Sequence, residues 1–240
     1  MKDFIQYSSY LTSKFKDMVK MRKVSENEMI IDSTGYLKRE EKIYIITSGQ
    51  AVLQLKNNIG KNDFYSIVTE NQLFGIEYFL NKEDKLRNID YSVKSKTKVT
   101  YLVVESQFFI DHMYNNPQLY HSVLNNIIKQ NMLLVQSYAL MNEPTIVRIA
   151  NALIELALIL KLESNKKEKV VFPNYMTQKF IANYSNASVG RTSIAFNQLE
   201  SLGIIKRNPI RIMNFEKIKQ IRLSSTRKSL YKEKTCEIED

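Results

Sequence analysis

Arg191 is the one long hydrogen-bond donor at the start of a short segment, SVGRTS (188–193), whose other residues are small, polar or apolar. A guanidinium placed there can bond both acceptors of a guanine edge, worth about 1–3 kcal/mol of discrimination. It can equally clamp a phosphate oxygen, and both readings stand at this point. Ser188 offers a hydroxyl and a helix N-terminus to a phosphate. Val189 offers an apolar contact to a thymine methyl, and Ile194 and Asn197 lie one and two turns on along the same face. Ser188, Val189, Arg191, Ile194 and Asn197 are therefore the candidate base-contacting residues. Thr177, Gln178, Lys206, Arg207 and Arg211 are the candidate phosphate contacts.

The elements that must position these groups are legible in residues 176–213. Thr177 is a good N-cap for a first short helix. Ser185-Asn186-Ala187 supplies a turn, and Ser188 caps a second helix running to about Leu202. Gly203 is placed to end it in a left-handed conformation. Phe180, Ile181 and Tyr184 fall on one face of the first helix, and Thr192, Ala195, Leu199 and Leu202 on one face of the second. Two such helices with those faces together make a helix-turn-helix, which puts the start of its second helix into a major groove. A small basic hairpin follows. From Met176 to Lys228 there are ten Lys or Arg and two Asp or Glu. That excess suits a polyanion, because each neutralised phosphate releases counterions.

The whole chain has 240 residues, 44% of them apolar, with a net charge of +10. That is room for two modest domains with packed cores. Residues 1–140 carry 18 basic and 15 acidic residues, and residues 141–240 carry 17 and 10, so the C-terminal part is the better partner for double-stranded DNA. No apolar run follows the first residues, so no signal peptide is expected. The most apolar stretch, Ile149 to Leu162, is broken by Asn151, Glu155 and Lys161 and is too polar to cross a bilayer. The single cysteine, Cys236, forms no internal disulfide. A cytoplasmic protein without membrane association, metal or cofactor is expected.

Residues 1–25 read as helical, through Ile5, Leu11, Phe15 and Val19. From Glu28 to Val104 the pattern changes to short strands, including Ile43–Thr47, Ala51–Leu55, Phe64–Val68, Tyr91–Val93 and Val99–Val104. Gly35, Gly49, Gly60 and Asn71 punctuate them. This is the pattern of an antiparallel roll. Pro117 opens a long helix to about Met141, on which Leu124, Ile127, Asn131, Leu134, Tyr138 and Met141 recur in steps of three and four. That is a coiled-coil seam with one polar residue to fix register. Leu124, Ile127, Asn131, Leu134 and Tyr138 are the expected homodimer contacts. A hinge at Asn142-Glu143-Pro144 follows, then a helix over 145–161 with Ile146, Ile149, Leu153, Leu156 and Leu160 as its core face. Residues 215–223 read as a last short helix before a charged tail. The fold class is α+β, with an effector or sensor roll over 1–115, a dimerisation helix and hinge over 116–142, and a winged helix-turn-helix over 143–240.

The segment IYIITSGQAVLQLKNNIGKNDFYSIVTENQLFGIEYFL (43–80) resembles the β-roll of the cyclic-AMP receptor and fumarate–nitrate regulator (Crp/Fnr) family. Gly49, Gly60 and Gly75 fall at that family's turn glycines, and Asn71 replaces a further one while tolerating the same left-handed turn. The framework Thr177, Ile181, Ser188 and QLESLGII (198–205) resembles the family's helix-turn-helix. The segment YFLNKEDKLRNIDYSVKSKTKVTYLV is most similar to the branch typified by positive regulatory factor A. The resemblance implies a cyclic-nucleotide-binding-like jelly roll, a dimer, a regulator of transcription, and RNA polymerase as a partner touched near the loop 163–169. It implies no inherited target sequence, since the family's charged pair at the start of the recognition helix is Val189-Gly190 here.

In family members that bind cyclic AMP, a Gly-Glu pair holds the ribose, and an arginine about ten residues on, followed by Ser or Thr, holds the phosphate. Here Ile76 follows Gly75, Glu77 comes one place later, and Arg87 is followed by Asn88. A buried phosphate without a paired guanidinium is costly. A different effector, a small molecule or peptide, is expected instead, with Glu77, Arg87 and Tyr65 as pocket candidates and Tyr78, Tyr91 and Tyr101 nearby. The expected function is a homodimeric, sequence-specific transcription regulator, an activator by resemblance, bound to a near-palindromic site. The alternatives are a non-specific architectural DNA binder and a ligand-binding adaptor with a vestigial DNA head. An enzyme is not expected. His112 and His121 lie nine apart with only Asp111 nearby, and no nucleophile elbow, metal-ligand spacing or phosphate loop accompanies them.

Overall fold

The structure is a computed structural model that describes residues 8–32, 41–55, 64–80, 83–84, 90–162 and 169–223. Ile5, Gly35, Gly60, Arg87, Cys236, most of the loop 163–169 and the tail from 224 lie outside the described residues. The chain divides into two compact units, residues 1–131 and 132–240.

In the first unit, helix α1 (Ser8–Lys14) leads into strands β1 (Val19–Val24), β2 (Met29–Asp32), β3 (Lys42–Ser48), β4 (Ala51–Leu55), β5 (Phe64–Val68), β6 (Leu73–Phe74), β7 (Tyr91–Ser95) and β8 (Val99–Glu105). They form two antiparallel four-stranded sheets, β1-β8-β3-β6 and β2-β7-β4-β5. Helix α2 (Ser106–Tyr114) and helix α3 (Pro117–Ala139) follow. Alternate strand residues face opposite ways, and β3 uses both faces. Tyr44 and Ile46 turn toward a core shared by both sheets with Val93, Val99 and Tyr101. Ile43 and Ile45 turn toward a second core closed by Leu11 of α1, Phe109 and Met113 of α2, and Leu119 and Val123 of α3.

Two expectations are corrected here. The helical reading of residues 1–25 holds for Ser8–Lys14, but Val19–Val24 is a strand, paired with β8 from Val19↔Val104 to Val24↔Val99. The hydrogen-bonding edge of β8 outweighs the helical propensity of a Lys- and Met-rich segment. In addition, α2 stands as a separate helix between the roll and α3, an element that the strand and long-helix patterns do not announce. Among the turns, Asn71 adopts φ 68° as expected, and its carbonyl accepts a bond from Asn126 Nδ2 of α3 at 2.8 Å. Gly49 (φ 90°) and Gly75 (φ 85°) are left-handed, and a Cβ at either would run into a backbone carbonyl, of Lys98 and Lys42 respectively.

Pro117 opens α3 at the first helical position, where its missing N–H costs nothing. Along α3, Ile127 is half-buried against the second core, whereas Leu124, Ile128, Met132, Leu134, Val135 and Tyr138 are exposed. Asn131 is exposed as well.

The second unit is built on α4 (Thr145–Ile159), whose ten consecutive positions from Ile149 to Leu158 are buried save the last. Helices α5 (Gln178–Tyr184) and α6 (Val189–Ser201) both pack on it. Strands β9 (Val170–Val171), β10 (Ile205–Lys206) and β11 (Arg211–Ile212) make a three-stranded antiparallel sheet in the order β10-β11-β9. The expected hairpin is thus one strand wider. Residues 215–223 are helical. Two polar residues sit within the apolar run of α4. Glu155 is 1% exposed and accepts bonds from Asn151 Nδ2 at 2.8 Å and Ser137 Oγ at 3.0 Å.

Candidate nucleic-acid interface

Local chemistry sets both short helices. Thr177 is extended, and its Oγ1 accepts from Phe180 N at 3.2 Å, capping α5. Asn186 turns the chain at φ 50°. Ser188 then caps α6, its Oγ accepting from Arg191 N at 3.4 Å, while its carbonyl takes the buried Thr192 hydroxyl at 2.9 Å. At the far end Gly203 has φ 67°, with Gly203 N bonded to Glu200 O and Ile204 N to Leu199 O, both at 2.9 Å. These paired bonds satisfy carbonyls left over at the helix end.

The buried face of α6 is Thr192, Ala195, Phe196 and Leu199. The spacing predicts Leu202 on that face, and the structure corrects this. Leu202 lies at the C-cap, beyond the last full turn, and is 55% exposed, while Phe196 fills the interior instead. The opposite face carries Val189, Arg191, Ile194 and Asn197, all exposed, with Ser188 exposed at its start. Gly190 sits in the first turn with open space where a Cβ would stand.

Of the candidate phosphate contacts, Thr177 and Lys206 are exposed, and Gln178 and Arg211 are half-buried. Arg207 is engaged within the unit. Its Nε lies 3.3 Å from Glu200 Oε2, its Nη2 donates to Ser193 O at 3.4 Å and to Asn197 Oδ1, and its guanidinium lies over the Phe196 ring at 5.6 Å. Thr177, Gln178, Phe196 and Arg207 also line an open cleft of about 390 Å³ between the helix pair and the turn that joins β10 to β11.

A further basic residue belongs to this surface. Arg148 of α4 donates from Nη1 to the carbonyl of Asn186 at 3.0 Å, so it holds the turn between α5 and α6. Burial, and then the charge of Arg191, hold its pKa below the ordinary arginine value. The one sign of it in the sequence is a cation near the start of an otherwise apolar helix.

In the first unit, Glu77 lies in a short 3-10 turn (Ile76–Phe79) directly after Gly75, and its Oε1 accepts from the buried Tyr91 hydroxyl at 2.7 Å. Tyr65 is half-buried on β5 opposite Gln54. Tyr101 is buried, and desolvation raises its pKa. Glu77 and Tyr91 are thus brought together as structural partners. Among the described residues no group of three or more His, Cys, Asp or Glu is placed to hold a metal ion, and no helix is long and apolar enough to cross a membrane.

Residues 147–221 match the family model of the Crp-like helix-turn-helix domain. The second unit thus carries a Crp-like helix-turn-helix domain. No curated protein matches the chain. Among solved structures, the chain is similar to a cyclic nucleotide-binding domain containing protein from Listeria monocytogenes EGD-e, at 19% identity, over 90% of this chain and 98% of that one, with a TM-score of 0.71. A CRP/FNR-family transcriptional regulator from Thermus thermophilus aligns at 18% identity over 85% and 98%, with a TM-score of 0.64. A mutant of CooA from Carboxydothermus hydrogenoformans aligns at 13% identity over 85% and 88%, with a TM-score of 0.65. These likenesses span both units and establish the shared fold, an antiparallel roll, a long helix and a Crp-type head.

Proposed function

We propose that this Crp/Fnr-type regulator is a homodimer that binds a near-palindromic DNA site through α6 and activates transcription from it. The observation that carries the reading is the division of α6 into two faces. Thr192, Ala195, Phe196 and Leu199 are spent on the core, while Val189, Arg191, Ile194 and Asn197 stand exposed on a helix capped at both ends. In this reading those four residues and Ser188 meet base edges, and Thr177, Gln178, Lys206 and Arg211 flank them along the phosphates, while Arg207 is turned inward onto α6. Two such helices about 34 Å apart reach successive major grooves. The apolar stripe Leu124, Ile128, Met132, Leu134, Val135 and Tyr138 supports pairing through α3. RNA polymerase is the partner an activator requires.

An effector other than a cyclic nucleotide fits the roll better, because Ile76 stands where a ribose-binding carboxylate would and Glu77 is taken by Tyr91. The deciding experiment is selection from random duplex DNA at stated salt. Enrichment of a two-fold-symmetric motif with half-sites one helical turn apart is expected. Binding that selects no sequence and fades as salt rises would favour the architectural alternative.

A further inference from the structure

The recognition helix and the turn that joins β10 to β11 are not independent contact surfaces. Arg207, in that turn, reaches back across α6 and is fixed there by four groups: the Glu200 carboxylate, the Ser193 carbonyl, the Phe196 ring and the Asn197 amide oxygen. The Glu200 carboxylate also accepts from the Arg207 backbone N–H at 3.4 Å, so the anchor holds main chain and side chain together.

The chemistry of the last contact has a directional consequence. An arginine side chain has donors only. The group of Asn197 facing it is therefore the carbonyl oxygen, and the amide cannot present that oxygen and its NH2 to a base edge together. Asn197 itself is exposed on the outer face of α6, in line with Ile194. An unrestrained asparagine reads adenine by accepting from N6 and donating to N7. Oδ1 keeps a second lone pair, but with that oxygen turned toward Arg207 the edge of the amide left to face a partner is the NH2, a pair of N–H donors.

We propose that Arg207 is a specificity-setting positioning residue, which orients the Asn197 amide so that this position of the recognition helix offers DNA hydrogen-bond donors alone. The proposal rests on the reading of α6 as a DNA-recognition helix. A donor-only amide favours guanine, with two acceptors in the major groove, or thymine, with one. It disfavours adenine and cytosine, whose amino groups oppose it.

The test is selection of DNA sites by the full-length protein, Arg207→Ala and Asn197→Asp, each motif compared position by position. The expected result for Arg207→Ala is a shift at one base pair of each half-site, adenine gaining about tenfold over guanine as the amide becomes free to turn. Asn197→Asp keeps an acceptor for Arg207 and replaces the outward donors with an acceptor, so cytosine should gain at that same base pair. This second variant retains the Arg207 anchor and reports even if Arg207→Ala does not fold. A motif unchanged in Asn197→Asp, or unchanged in a folded Arg207→Ala whose salt slope falls by about one, would overturn the proposal and leave Arg207 as a phosphate contact. A wild-type protein that enriches no motif would overturn the DNA-recognition reading itself, which is a separate result.

Discussion

Arg148 Nη1 donates to the carbonyl of Asn186 across 3.0 Å, joining the long apolar helix of the head to the left-handed residue on which the two short helices turn. The bond fixes where α6 begins relative to α4, and so where Ser188, Val189 and Arg191 stand. The Crp-like head therefore holds the start of α6 through a half-buried cation of the helix on which α6 packs.

Replacing Arg148 with Met keeps the apolar stem but removes the donor. A bond to a charged group contributes about 1.5–3 kcal/mol when well buried, and partial exposure reduces that to about 1 kcal/mol here. Urea unfolding should show a loss of that size, with a larger fractional loss in specific than in non-specific DNA affinity. Equal losses in both affinities would place Arg148 in general electrostatics alone.

Glu155 gives a pH dependence of defined sign. Burial raises its pKa above the ordinary glutamate range, and bonds from Asn151 and Ser137, the charge of Arg222 and a bond from Tyr184 only partly oppose this. A folded pKa raised above the unfolded one, about 4.3, means the native state holds the proton longer. Stability from this group is therefore highest below the unfolded value and falls as pH rises through the folded one. Glu155→Gln should lack that fall. Denaturation midpoints for the two proteins should diverge in the variant's favour as pH rises from about 4.3 toward neutrality, and parallel curves would show that Glu155 titrates as an ordinary surface carboxylate.

Gly75 occupies a left-handed backbone with Lys42 O and the Tyr44 ring packed against the space of a Cβ. Gly75→Ala should cost about 1–3 kcal/mol through strain and displacement of β3. The measurement is thermal unfolding of the full chain. At Gly190, where nothing stands within 4 Å, the corresponding alanine should be neutral or stabilising.

Arg191→Ala should weaken binding to the selected site far more than binding to random duplex, if the guanidinium reads a guanine. Equal weakening, with a salt slope lower by about one, would assign it to phosphate. Titrations at two salt concentrations separate these outcomes.

Leu134 and Val135 are 51% and 54% exposed on α3. Glutamate at both should turn a dimer into a monomer in sedimentation at micromolar concentration, because two buried carboxylates facing two more are strongly unfavourable. An unchanged mass would remove α3 from the dimer contact.

The helix-turn-helix is largely legible in the sequence because its signals are local. Thr177, Ser188 and Gly203 act within four residues of themselves, and each takes the role its type suggests. The strands from Lys42 to Leu55 and from Val99 to Glu105 show in their alternation. Val19–Val24 is hidden because its partner is some eighty residues away and its own side chains are mostly polar. Spacing misplaces Leu202 because it does not say where a helix stops, and it leaves out Phe196, the fourth residue of the buried face. The ties of Arg148 and Arg207 join residues seven to thirty-eight apart, from different elements, which periodicity within one helix does not reveal.

Gly190 bears on how such a protein can change. It lies in the first turn of α6, with open space where a Cβ would stand. A Cβ there meets nothing, so an added side chain would project outward from that turn. On the proposed reading of α6, Gly190 is thus a place where a new side chain could change what is bound without repacking the core, an opening held by a residue that has no side chain of its own.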